Sequence, residues 1–311
     1  MKRPLISIVI PVLNERDLIE RFIAELGTAT RKLEYNFELI FVVDPSVDGT
    51  EELIENLAEQ NDSIKMLRLS RRFGQPAATI AGLENCNGVA AIVMDVDLQD
   101  PPGVVPLLIS EWEVGNKVVL AQRTTRTGEP YIKKLVSNFG YSFLNRFADV
   151  PIPPNAGDFR LIDRTVIEEL KKFPEANAFL RGLVALVGFK SSTVFFDRPG
   201  RTLGKTHYNR FFGSFKIAFN GIVGYSSALL TMSTLIGILF SILAIILGTG
   251  YGVAKILGAN FPIGNPTIVV AVLFVGGINL FAIGILGVYV SRVYDEVKQR
   301  PRYIIERKIG L

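Results

Sequence analysis

Cysteine, histidine and tryptophan each occur once in this 311-residue chain, as Cys86, His207 and Trp112. One cysteine excludes an intrachain disulfide and fits a reducing compartment such as the cytosol. One histidine leaves His207 two readings, a surface or lipid-headgroup contact or a catalytic group. Internal repeats and low-complexity tracts are missing as well. Charge is absent from two long stretches, Ile217 to Ala254 and Ile256 to Ser291. Each holds more than the ~20 apolar residues that a membrane-spanning helix needs. Spans are predicted near Ala228–Leu247 and Thr267–Val290. Gly248, Gly250, Gly252 and the segment Pro262 to Pro266 break the path between them, as a tight hairpin would. A pair of buried core helices is the alternative, but core helices of this length without one charge are rare.

What charge there is, net +4, crowds around those stretches. Arg198, Arg201, Lys205, Arg210 and Lys216 come before the first. Arg292, Lys298, Arg300, Arg302, Arg307 and Lys308 surround the end of the second, and the connection offers only Lys255. The positive-inside rule therefore puts both flanks and both termini in the cytosol, in a multi-pass protein of the cytoplasmic membrane. Anionic lipid, rather than nucleic acid, is the partner these cations suit. Lys2 and Arg3 precede the apolar run Leu5–Leu13. That run lacks a small-residue cleavage site and reads as a first β-strand, not a signal peptide.

Strand and helix patterns alternate through the first 200 residues. Apolar runs "LISIVIPVL", "FELIFVVD", "IKMLRLS", "GVAAIVMD" and "KVVLAQR" read as strands. Between them, Asn14 is placed to cap a helix with Leu18, Phe22 and Leu26 on one face, and 50–60 and 75–84 are helical by pattern. Such βαβ order implies a largely parallel sheet, with ligands at the carboxyl ends of its strands. That edge would gather Asp44, Asp95 and Asp97. Carboxylates leaving an apolar strand are costly unless something neutralises them. An Asp-x-Asp pair with a phosphate-bearing ligand suits Mg²⁺ or Mn²⁺, and Gln99 adds an amide oxygen. Asp100 precedes Pro101 and Pro102 and reads as a solvated acid at a helix start.

Five motifs in order, "SIVIPVLNE", "VVDPSVDGT", "LSRRFGQPAATIAGLE", "VMDVDLQDPP" and "NAGDFRLIDR", carry a resemblance. The chain resembles the family 2 glycosyltransferases of GT-A fold. More narrowly it resembles the polyprenyl-phosphate group, which includes bactoprenol glucosyltransferases and dolichol-phosphate mannose synthases. The resemblance implies an α/β fold: a GT-A (Rossmann-like) catalytic domain with a mostly parallel sheet at 1–200, and two C-terminal transmembrane helices at 223–293. A juxtamembrane amphipathic helix at 201–222 and a cytosolic tail at 294–311 complete the division. It also implies transfer of a sugar from a nucleotide-sugar donor, UDP-glucose first, to the phosphate of a polyprenyl phosphate. Inversion at the anomeric carbon is the simplest course. By resemblance, Pro11, Asn14, Glu15 and Asp44 line the nucleotide pocket. Asp95 and Asp97 hold the metal with Gln99 nearby, and Asp97 serves the chemistry. Asp158 faces the anomeric carbon as base or orienting residue, with an ion pair to Arg160 or Arg164 as the structural alternative. Arg123, Arg201 and Lys205 meet the lipid phosphate.

The chain departs from that pattern twice. Val43 stands where related enzymes often have an acid, and "GKTHY" replaces a common Gly-x-Ser-Lys-Tyr. The donor therefore stays open among UDP-glucose, GDP-mannose, UDP-GlcNAc, UDP-galactose and an aminosugar nucleotide. A processive polysaccharide synthase is disfavoured, because Trp112 lies in "EWEVG" and no Gln-x-x-Arg-Trp motif exists. A non-catalytic membrane scaffold has only Val43 in its support. A transporter is excluded by spans without ionisable residues. Two aromatic stripes are predicted to lie on the bilayer. One is Tyr131, Leu135, Phe139, Phe143 and Phe147, the other Tyr208, Phe211, Phe212, Phe215 and Phe219. The strand-like Tyr303-Ile304-Ile305 is predicted to pair with a neighbouring subunit in a homo-oligomer, up to a tetramer.

Overall fold

A computed structural model describes residues 3–124, 156–173, 175, 180–197, 228–258 and 264–311. Both predicted interfacial helices lie outside the described residues, and so do Arg201, Lys205 and His207. Elements follow in chain order: β1 (Leu5–Val12), α1 (Arg16–Thr30), β2 (Asn36–Val43), α2 (Thr50–Gln60), β3 (Ile64–Leu69), α3 (Gln75–Asn85) and β4 (Ala90–Val93). A 3-10 turn (Pro102–Val104) then leads into α4 (Val105–Glu113), followed by β5 (Val118–Arg123), β6 (Ala156–Asp163) and α5 (Arg164–Leu170). The chain continues through α6 (Leu180–Val187), β7 (Ser191–Phe196), α7 (Ala228–Ile256), α8 (Asn265–Val297) and β8 (Ile305–Ile309).

One sheet of order β7-β5-β6-β4-β1-β2-β3-β8 organises the first domain. Its centre, β4-β1-β2-β3, is parallel throughout. β6 runs antiparallel to both β4 and β5, and β8 antiparallel to β3. Strand residues alternate between two buried layers, as a sheet covered on both faces requires. Ile6, Ile8, Ile10, Phe41 and Val43 pack with Leu18, Phe22 and Leu26 of α1, Ile54 of α2 and Leu108 of α4. Val9, Ile40, Val42 and Leu67 pack instead with Ala81 and Leu83 of α3, Val166 of α5 and Leu183 of α6. Gly82 lets α3 lie close on the sheet, since a Cβ there would stand 2.3 Å from Val9 Cγ1.

Several expectations need correction. Asn14 does not cap α1. Its backbone is left-handed (φ 54°), Glu15 is the capping position, and the Asn14 Oδ1 accepts the Val47 amide at 2.9 Å. Asp100 is buried and not solvated. The C-terminal strand pairs within its own chain, with Met66 opposite Ile309 and Leu69 opposite Ile305. Two strands, β6 and β7, escaped the sequence pass. In β6, Asp158, Arg160 and Asp163 interrupt the apolar pattern that marks the other strands.

α7 and α8 carry 27-residue apolar segments, Leu230–Ile256 and Ala271–Val297, long enough to cross a membrane. Almost all of their side chains are exposed, and Phe240 meets Phe274 edge to face at 5.6 Å. Apolar segments of this length, with no buried share in protein, are suited to a membrane.

Candidate active site

The central parallel strands all end on one edge, and the loops leaving that edge are stitched together. β1 delivers Pro11, Asn14 and Glu15, and β2 delivers Asp44. The amides of Asn14, Glu15 and Arg16 donate to Ser46 Oγ, Thr50 Oγ1 and Asp48 Oδ2 at 3.1, 3.2 and 3.2 Å. The amides leading into α1 are thus held by the neighbouring loop, while Leu18 N donates to the Glu15 carbonyl at 3.0 Å. Gly49 supplies the left-handed backbone (φ 82°) this loop needs just before α2, a conformation that a residue with a Cβ rarely adopts. Asp44 is buried, and its two carboxylate oxygens accept the Phe73 and Gly74 amides at 3.1 and 2.9 Å. It locks the loop that starts α3.

α3 reaches the next strand too. Gln75 Nε2 donates to Asp95 Oδ1 at 2.8 Å. After β4 the burial alternates, with Met94, Val96, Leu98 and Asp100 buried and Asp95, Asp97 and Gln99 half-buried between them. Leu98 holds this pattern in a left-handed backbone (φ 58°), which costs about 1–2 kcal/mol for a residue with a Cβ. Its buried side chain is the anchor that keeps the two acids on the outer side. Asp97 Oδ1 accepts the Gln99 amide at 3.0 Å, so Gln99 shapes the loop through its backbone. Among the described residues, no group of three or more acids, cysteines or histidines forms a metal cage. Asp95, Asp97 and Gln99 share the half-buried side of this loop and offer two carboxylates and an amide. This set is made of hard oxygens and leaves the rest of a coordination shell to a ligand, as a Mg²⁺- or Mn²⁺-type cation requires.

β6 brings the next group. It pairs with β4 as Val93 opposite Arg160, and that register carries Asp158 past the end of β4 toward the same edge as Asp95. Asp158 Oδ1 and Oδ2 are gripped by Arg181 Nε and Nη2 of α6 at 2.8 and 3.2 Å. Arg160 Nη2 lies 3.8 Å from Asp158 Oδ1. The expected ion-pair partner Arg164 is instead turned to the Cys86 and Gly88 carbonyls and to Glu168. About a third of the Asp158 side chain still reaches solvent, at the lip of a densely packed layer. Burial pushes its carboxyl up, but Arg181, Arg160 and Arg123 outweigh that and hold it below the usual carboxylate range. Arg123 closes β5, which is irregular against β6 between Leu120 and Gln122. Such irregularities re-aim side chains beside active sites. The sequence reading pairs Arg160 with Asp158, but Gln75 and Arg181 go unnoticed in it. Gln75 stands inside a quoted motif, whereas Arg181 comes near Asp158 only through the packing of α6.

Read in sheet order, the edge therefore carries Arg123, then Asp158, then Asp95 and Asp97, then the Asn14 and Asp44 loops. Cations stand at one end, a carboxylate pair in the middle and the loops tied by Asn14 and Asp44 at the other. This is the layout of a GT-A-like α/β group-transfer enzyme. Residues 7–171 match the glycosyl transferase family 2 domain. The chain is 37% identical over 302 residues to the prophage bactoprenol glucosyl transferase homolog of Escherichia coli (strain K12), covering 97% of this chain and 98% of that one. It is 36% identical over 302 residues to the bactoprenol glucosyl transferase of Shigella phage SfII, covering 97% of each. A crystal structure of glucosyl-3-phosphoglycerate synthase from Mycobacterium tuberculosis, with Mn²⁺, UDP and phosphoglyceric acid, aligns at a TM-score of 0.46 and 19% identity, over 71% of this chain and 76% of that one. The chain belongs to glycosyl transferase family 2 and is a glycosyltransferase.

Proposed function

We propose that this enzyme transfers a sugar, glucose from UDP-glucose first, to the phosphate of a polyprenyl phosphate at the cytosolic face of the membrane. The observation that carries the reading is the ordered edge, with the Asn14 and Asp44 loops, an Asp-x-Asp loop and an arginine-flanked carboxylate in one row, in a chain that also carries two apolar helices. The names of the relatives support the lipid and the sugar. In this reading Pro11, Asn14, Glu15 and the loop tied by Asp44 receive the base and ribose. Asp95 and Asp97, with Gln99 beside them, hold a Mg²⁺ or Mn²⁺ ion, which supplies charge neutralisation for the leaving nucleoside diphosphate. Arg123 meets the acceptor phosphate, joined by Arg201 and Lys205 from outside the described residues. An acceptor phosphate is already largely ionised near neutral pH, its second pKa being about 6 as in other phosphomonoesters. It needs alignment and charge neutralisation more than deprotonation, and direct attack inverts the anomeric carbon.

The membrane placement draws support from β8. Both flanks of the α7–α8 hairpin belong to one sheet, so the hairpin must return to the side it left. Two crossings satisfy that, and the basic flanks put the sheet in the cytosol. A homo-oligomer remains part of the proposal, but β8 is used within the chain and no longer argues for it.

The test incubates purified protein with polyprenyl phosphate and a panel of UDP- and GDP-sugars, with and without EDTA. One EDTA-sensitive lipid-linked product is expected. Asp95→Asn and Asp97→Asn should each lower turnover at least about 100-fold without loss of fold. Full activity in either variant, or in EDTA, would sink the metal assignment, and a folded protein without any product would sink the reaction.

A further inference from the structure

Arg160 is among the most deeply buried side chains of the protein, 1% exposed, although it is cationic. Its guanidinium donates to the Gly157 and Asp158 carbonyls at 2.7 and 3.3 Å. These carbonyls take two of its hydrogen bonds but do not neutralise its charge. A buried charge needs a counter-charge, and Asp158 is the carboxylate beside it. The same carboxylate faces Arg181 from α6 and Arg123 from β5. One acid thus stands among three guanidinium groups. Both its oxygens are engaged by the Arg181 fork, the strongest and most directional ion-pair geometry available to a carboxylate. A carboxylate held in this way is a poor proton acceptor, because taking a proton would break the fork and leave Arg160 uncompensated.

We propose that Arg181 is a positioning residue for the transfer site: its two-point grip fixes Asp158 as the standing counter-charge of the Arg123–Arg160–Arg181 cluster, so that Asp158 orients the acceptor-binding cations and takes no proton. This rests on the polyprenyl-phosphate reading above. α6 is held to the sheet by Leu180, Leu183 and Val184 in the layer shared with Ile162 and Val166. The grip is therefore built into the core and does not depend on the acceptor.

The experiment compares wild-type protein, Arg181→Ala, Arg181→Lys and Asp158→Asn, full length, with polyprenyl phosphate and the active nucleotide sugar. For Arg181→Ala the expected result is a fall of about 10–100-fold in kcat/KM for the lipid, with the donor KM within about 3-fold of wild type. Arg181→Lys should recover part of the loss, since it restores charge but not the fork. The acid limb of the pH profile should move to higher pH in Arg181→Ala, as Asp158 loses its main partner while burial remains. An unchanged lipid KM and pH profile in both Arg181 variants would overturn the proposal. A donor-side effect as large as the lipid-side effect would overturn it too. Thermal melting against pH provides a readout that does not depend on the reaction. Wild type should lose stability on acidification more steeply than Asp158→Asn or Arg181→Lys. Parallel melting curves would refute the ion pair even if the lipid reaction itself proved wrong. A wild-type protein that makes no lipid-linked sugar yet melts as expected would instead refute the reaction and leave the grip standing.

Discussion

Asp95 and Asp97 are held differently, and the difference has consequences. Asp97 is fixed by its own loop through the Gln99 amide, whereas Asp95 leans on a side chain from another element, Gln75. Partners of this kind orient a ligand without touching the metal, and their loss costs about 10–100-fold in metal affinity. Gln75→Ala should therefore raise the half-saturating concentration of Mg²⁺ or Mn²⁺ about 10-fold, with turnover largely restored at saturation. A metal titration read by turnover and by nucleotide binding checks this, and an unmoved midpoint would remove Gln75 from the site. Four carboxylates also tie stability to pH. For Glu38, Asp48, Asp158 and Asp163, burial pushes the carboxyl up. Hydrogen bonds and cations outweigh it, with Lys65 acting on Glu38, Thr50 on Asp48, Arg181 on Asp158 and Thr165 on Asp163. Folded values below the unfolded ones mean that the unfolded chain binds protons first as pH falls. Their stabilisation is fully present above the ordinary carboxylate range of about 4 and is lost below it. Melting temperature should stay level from pH 8 to about pH 5.5 and drop steeply below about pH 4.5.

β8 is the element whose role changed most between sequence and structure. It follows α8 after only the short connection 298–304, and it closes the β3 edge of the sheet. Arg302 pairs with Glu84 at 2.7 Å, Arg307 with Glu55 at 2.6 Å and Lys308 with Asn85 Oδ1 at 2.6 Å. Tyr303 donates its hydroxyl to Glu84 at 2.5 Å and packs with Ile305 against the α3 layer, while Ile309 packs on the other. Of the two ion pairs, Arg307–Glu55 is exposed and contributes little, and Arg302–Glu84 is half-buried. The apolar contacts contribute more, at roughly 1–2 kcal/mol for each half-buried side chain. A chain ending at Gln299 should thus lose about 3 kcal/mol, or about 6–12 °C in melting temperature for a domain of this size. It would also expose the β3 edge to pairing with other chains. Equal melting temperatures for the two chains would show that β8 is not part of the stable sheet.

At the scale of the molecule, a sheet and a lipid-suited hairpin are bound at two points, through the chain that enters α7 and through β8. The return of the tail to the sheet limits how far the catalytic edge can move from the end of α8. The seven-residue connection 298–304 spans at most about 25 Å when fully extended. On the proposed reading, this tether keeps the sheet within reach of a lipid headgroup. Cys86 is the single cysteine and is buried, so a new surface cysteine is the only readily labelled thiol. In sealed cells, cysteine placed at Gly258, between the helices, should react with a membrane-impermeant thiol reagent. Cysteine placed at Lys308 should react only after the membrane is opened. Equal labelling of both positions from outside would reverse the proposed topology.

Local pattern and composition determined much of this protein. The apolar runs of β1 to β5, the faces of α1 and α2, the two long uncharged stretches and the Asp-x-Asp at a strand end were all readable. Each is a matter of short-range periodicity or of the high cost of charge in an apolar setting. The motif order made the family legible as well. Other features depended on where distant segments meet. Asn14 reads as a cap from its neighbours, yet the loop after β2 supplies the partners for α1. β6 hides its strand character because it spends alternate positions on Asp158 and Arg160, a pair that becomes affordable only once Arg181 and the sheet surround it. β8 looks like a strand in search of a partner, and only the return of the chain through two helices shows that the partner is β3. Tertiary structure decided these points because a charge or an edge is assigned by what faces it, and sequence separation says little about that.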